Sequence, residues 1–111
     1  MNLKIQTYLE CLRKTLLPMP AVTEKPSYGT QVFFVGKKLF ARLKEDGKTL
    51  VIQSIDRDKW MEKDPDTFFI TDHYLNYDYV LVNLQTVAPE DLLKLLYAAW
   101  YNQATTKIRG I

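Results

Sequence analysis

Apolar residues recur along this chain with two different periods, and the change from one to the other marks out its elements. From about Asn2 to Leu17 the side chains of Ile5, Tyr8, Leu9, Leu12 and Leu16 fall three or four apart, which gathers them on one face of a helix until Pro18 and Pro20 stop the pattern. The stretch from Pro20 to Gly29 holds two prolines and mixed charge, and predicts a loop entering a sheet near Tyr28. Beyond it the period falls to two. Strands are expected from Gln31 to Val35, from Lys38 to Lys44 and from Thr49 to Gln53. They are joined by a Gly36-Lys37 hairpin and an Asp46-Gly47 turn, where glycine supplies the positive φ that tight turns need.

A short helix through Trp60 and Met61, capped by Ser54 or Asp56, ends at Asp64-Pro65, because proline disfavours helix in the residue before it. Aromatic and β-branched residues predict strands from Thr67 to Thr71 and from Tyr79 to Leu84, with Asp72 to Asp78 as a wide turn between them. Pro89 suits a first helical position, Glu90 and Asp91 suit the positive helix end, and Leu92, Leu96 and Ala99 mark a long last helix. The order is α-β-β-β-α-β-β-α. It predicts a single α+β domain over residues 1–111: a two-layer sandwich in which helices cover one face of an antiparallel sheet of about five strands.

Pointing the more aliphatic set of each strand inward places Val32, Phe34, Leu39, Ala41, Leu43, Leu50, Ile52, Phe68, Ile70, Val80, Val82 and Leu84 in the core. The alternate set, Phe33, Phe40, Arg42, Lys44, Gln53, Phe69, Tyr79 and Asn83, then faces outward. Composition leaves this picture intact. With 111 residues, 47% hydrophobic and 25% charged, the chain is ordinary for a globular domain that buries its own core. One cysteine, Cys11, excludes a disulfide framework and a thiolate zinc site. It is read as a small core residue, and a reducing, cytoplasmic setting is expected. No segment reads as a signal peptide or a membrane span.

Charge changes the picture more. Residues 1–48 carry a net +5, residues 49–91 a net −6 and residues 92–111 a net +3, so a positive side arises if these segments separate in space. The strand Lys38-Leu39-Phe40-Ala41-Arg42-Leu43-Lys44 concentrates the first of them. Lys37, Lys38, Arg42, Lys44 and Lys48 can meet phosphates there while Phe40 or Tyr79 stacks on an unpaired base. The competing reading is a solvated face whose lysines discourage edge pairing.

The run from Val35 to Leu43, the block Asp64-Pro65-Asp66-Thr67-Phe68-Phe69-Ile70-Thr71-Asp72-His73-Tyr74, then Val80-Leu81-Val82-Asn83-Leu84 and Ala98-Ala99-Trp100 resemble the MmcQ/YjbR family. The likeness runs from the first helix to Trp100. Pro18-Met19-Pro20 and the tail from Ala104 to Arg109 depart from the family pattern. The resemblance implies a fold similar to frataxin homologues and to the "double wing" domain of a phage transcription factor, and with it DNA binding. Iron binding on a frataxin-like acidic ridge is not expected, since the first helix offers only Glu10 against Lys4, Arg13 and Lys14.

Among other candidates, His73 with Asp72, Asp64, Asp66 and Asp78 nearby is read as a hydrogen-bonded turn rather than a metal site or general base. The glycines at 29, 36, 47 and 110 match neither a phosphate loop nor a dinucleotide fingerprint. No enzyme, cofactor or metal is expected. Trp60, Tyr97, Trp100 and Tyr101 are assigned to the core. The reading is a DNA- or polyanion-binding domain acting through Lys37, Lys38, Phe40, Arg42 and Lys44. Its alternative is a protein-interaction or small-ligand module on the same open face, through Phe33, Phe69 and Tyr79.

Overall fold

In the computed structural model, the backbone of residues 3–27 and 29–110 and the side chains of residues 7–27 and 29–110 are described. The expected helix start at Asn2, the stripe position Ile5, the Lys4 charge and the sheet entry at Tyr28 lie outside those residues. The first element is the helix α1 (Leu3–Leu16), which buries Leu12 and Leu16 and rests Tyr8 and Leu9 against the core. Arg13 and Lys14 occupy its last turn, where cations suit the negative helix end.

Among the described residues six strands follow, one more than expected. The segment from Pro20 to Gly29 is not a loop, because it contains β1 (Val22–Ser27). This strand pairs with β2 (Thr30–Val35) from Val22↔Val35 to Ser27↔Thr30. Pro26 hides the strand in the sequence, yet a sheet edge tolerates a residue with no N–H to donate. Glu24 ties this edge to α1 through a bidentate contact with Arg13, with N···O distances of 2.7–2.9 Å.

The chain continues through β3 (Lys38–Leu43), β4 (Thr49–Gln53), α2 (Arg57–Lys63), β5 (Phe68–Phe69), a 3-10 turn at Asp72–Tyr74, β6 (Tyr79–Asn83), α3 (Pro89–Gln103) and α4 (Thr106–Arg109). All pairings are antiparallel, in the order β1-β2-β3-β4-β6-β5. Gly36 and Gly47 supply positive φ in the two hairpins. At Gly36 even a methyl group would crowd Ile108 of α4, 3.3 Å away.

The core lies between one sheet face and the helices. Phe33, Phe40, Leu43, Leu50, Ile52, Phe68, Val80 and Val82 meet Leu12 and Leu16 of α1 and Leu95, Leu96, Ala99 and Trp100 of α3. The Trp100 indole N–H donates to the Pro20 carbonyl at 2.9 Å and so fastens α3 to the chain entering β1. The helix α2 leans Trp60 on Phe68, with ring centroids 5.1 Å apart. Lys63 reaches Asp91 of α3 at 3.0 Å.

Two strands depart from the expected facing: β3 is broken by an extra residue, and β2 alternates regularly but in the opposite phase. Phe33 pairs with Ala41 but Phe34 pairs with Leu39, so Phe40 is an extra residue in β3, a bulge. Phe40 and Ala41 therefore both enter the core. Before the bulge Leu39 stands outward, and along β2 Val32 and Phe34 stand outward while Phe33 and Val35 face inward, with Phe33 and Phe40 both at 0% exposure.

Candidate functional site

Six residues at about 3.3 Å each separate Lys38 from Lys44, so the basic ribbon spans roughly 20 Å and its cations do not converge on one point. Lys37 and Lys38 are exposed at the β2–β3 turn. Ile108 packs on Gly36 at that turn, which brings α4 with Lys107 and Arg109 to the same end of the sheet. Lys48 is exposed and Lys44 half-buried at the β3–β4 turn. Between the two ends, Arg42 stands outward opposite Val51 and Val32. Its side chain is 20% exposed and lies 3.7 Å from Glu45, which is itself 61% exposed. The contact is long and wet, and such pairs hold a guanidinium only weakly.

Phe40 does not belong to this surface. The bulge turns its ring into the core, so it offers no face for stacking. The outward aromatic surface is built by other residues. Segment 72–78, expected as a wide turn, folds back over the outer sheet face. Its His73, Tyr74 and Tyr77, together with Arg42, Tyr79, Leu39 and Val51, line an open cavity of about 230 Å³.

Rings dominate its wall: Tyr74 lies 6.0 Å from Tyr79, and His73 meets Tyr74 edge-on at 4.8 Å and Tyr77 at 6.4 Å. The Tyr79 hydroxyl donates to the Leu39 carbonyl at 3.4 Å. Burial, with a smaller contribution from Tyr74, pushes the Tyr79 phenol above its usual pKa, so it stays a neutral donor.

One guanidinium positions the covering segment. Arg57, the first residue of α2, donates to the carbonyls of Tyr74 at 2.6 Å, Leu75 at 2.7 Å and Tyr79 at 3.3 Å, and to that of Tyr77. Fixed forks of N–H donors suit a cluster of carbonyls better than a single ammonium does. Nothing in the residue spacing singles Arg57 out. The covered face, however, had a legible signal: β4 and β6 each hold three consecutive aliphatic residues, Leu50-Val51-Ile52 and Val80-Leu81-Val82, as strands do when both faces are shielded. Val51 and Leu81, on the outer face, are only 2% and 1% exposed.

A sequence model of the YjbR family matches residues 17–102. The chain belongs to the YjbR family. Its fold is similar to that of the crystal structure of Deinococcus radiodurans protein DR2400, a DUF419 domain, at 20% identity and a TM-score of 0.75. The match covers 92% of this chain and 85% of that one. No curated protein is matched by the sequence.

Within this YjbR-family chain the remaining candidates fall into place singly. His73 is exposed, and among the described residues no three His, Cys, Asp or Glu side chains come together to hold a metal ion. Cys11 is an exposed free thiol rather than a core residue, because the buried stripe of α1 runs through Leu12 and Leu16 beside it. Trp100 is core as expected, whereas Tyr97 and Tyr101 are exposed on α3, and Arg109 stacks on Tyr101 with its guanidinium 4.2 Å from the ring centre. Among the described residues, no helix is long and apolar enough to cross a membrane.

Proposed function

We propose that this YjbR-family chain is a non-enzymatic DNA-binding domain that grips the sugar-phosphate backbone with the cations of the β2–β3–β4 ribbon. One observation carries the reading: Lys37, Lys38, Lys44 and Lys48 make no ion pair among the described residues. The charges of Lys37, Lys38 and Lys48, and that of Lys44 which the Asp46 carboxylate partly offsets, can displace the counterions of a polyanion, which is the main source of backbone-directed affinity. Arg42 adds a guanidinium whose Glu45 contact is loose enough to exchange for a phosphate. The second reading, a small ligand on the same face, is favoured by the ring-lined cavity.

Replacing Lys38, Arg42 and Lys44 together by alanine tests the first reading. Fluorescence anisotropy on single- and double-stranded DNA across a salt series should show weaker binding. The slope of log affinity against log salt should fall by about one for each phosphate that is no longer neutralised. Unchanged affinity and slope would remove these residues from the site. Binding that barely responds to salt would favour the small-ligand reading.

A further inference from the structure

The cavity beside Arg42 says more about the ligand than the lysines do. Its roughly 230 Å³ is less than the ~300–1,000 Å³ of pockets that enclose a whole cofactor or drug-sized molecule. It therefore has room for one flat ring system. Its walls are tyrosine and imidazole rings over an aliphatic floor of Leu39 and Val51, and among the described residues its one cation is Arg42. A planar, π-rich group attached to an anion matches that lining, since rings accept rings face or edge and a guanidinium pairs with phosphate. Lys44 follows Arg42 by two residues, just past the end of β3 and about 7 Å further along the chain. A second anion along an extended chain would meet it.

Resting on the DNA-binding reading above, we infer that this cavity receives one unpaired nucleobase, with its phosphate on Arg42, so that the preferred ligand is single-stranded. A duplex cannot present a base to a concave site without first unstacking it, and that cost falls on the duplex alone. Stacking on rings is tolerant of base identity, so little sequence preference accompanies it. Tyr77 is the ring to remove, because it lines the cavity while standing 59% exposed. Its loss leaves the core untouched.

Three probes of equal length separate the possibilities: a 12-residue oligothymidylate, a 12-residue abasic deoxyribose-phosphate strand, and a 12-base-pair duplex. The wild-type chain should bind the oligothymidylate roughly five- to a hundredfold more tightly than the abasic strand, the range expected for stacking one base. Tyr77→Ala should erase most of that ratio, and Tyr77→Phe should keep it. Equal affinity for the oligothymidylate and the abasic strand, with a steep salt response, would overturn the base pocket and leave the DNA-binding reading standing. So would a duplex bound more tightly than the oligothymidylate, or a ratio indifferent to Tyr77→Ala. Failure to bind all three probes would overturn both.

Discussion

The two faces of the sheet exclude water to different extents and by different means. On the inner face, Phe33, Phe40, Leu50, Ile52, Val80 and Val82 are closed by apolar side chains from α1 and α3. On the outer face, Val32, Val51 and Leu81 reach 1–2% exposure while Phe34, Leu39 and Tyr79 stay half-buried, and the cover beside Val51 is a short segment held by one guanidinium and a rim of phenols. Apolar interdigitation fills space and leaves little room to move. A cover anchored by hydrogen bonds to carbonyls can leave a void and can be released locally without unfolding the rest. The first arrangement serves stability, and the second leaves a cavity where a ligand fits.

The largest expected effect lies at the bulge that divides the faces. Phe40→Ala should destabilise the domain by about 3–5 kcal/mol, the range for emptying a buried aromatic site. Phe34→Ala, on the half-exposed outer face, should cost about 1 kcal/mol. Urea denaturation of the two variants reads the bulge directly. In a β3 of unbroken alternation Phe40 would stand outward beside Phe34, and the two costs would be alike and small.

Arg57→Gln comes next and attacks the other cover. A hydrogen bond to a charged group contributes about 1.5–3 kcal/mol, but the freed carbonyls of Tyr74, Leu75 and Tyr77 can turn to water. The expected global loss is about 2 kcal/mol. Amide hydrogen exchange should rise through residues 74–79 while the amides of β3 and α3 stay protected. Loss of protection spread evenly over both faces would mean that the outer cover is not a separate unit.

That contrast also explains what could be read in advance. Elements whose burial follows one period were legible: the stripe of α1, the long α3 after Pro89, and the inward pairs Leu50/Ile52 and Val80/Val82. The bulge was not, because Phe34 and Phe40 suit either face and no glycine or proline marks the extra residue. Strand β1 was masked by Pro26 and by charges that pair only in three dimensions, as Glu24 does with Arg13. The cavity depends on Arg57 meeting carbonyls 17–22 residues away, a kind of contact that leaves no spacing rule. The basic ribbon was visible as composition, and of the two rings named beside it Tyr79 lines the outer cavity with rings of the 72–78 segment while Phe40 does not.

The smallest expected effect is a pH dependence at the β3–β4 turn, whose register sends Arg42 outward with Val51 and Leu43 inward with Leu50. Burial of the Asp46 carboxyl favours its neutral form. The hydroxyl of Thr49, the amide N–H groups of Lys48 and Thr49 and the charge on Lys44 outweigh this and hold its pKa below the usual 3.8. Because the folded value is depressed, the unfolded chain takes up the proton first as pH falls. The stabilisation is therefore complete above the unfolded value of about 3.9, and it is lost as pH drops through the folded one. Stability from urea titrations between pH 7 and pH 2 should fall less steeply in Asp46→Asn than in the parent chain, and the variant should start lower at pH 7. Asp46 is exposed, so solvent screens the effect and the difference should be modest. Two superimposable acid limbs would show that the contacts of the Asp46 carboxylate add nothing to stability.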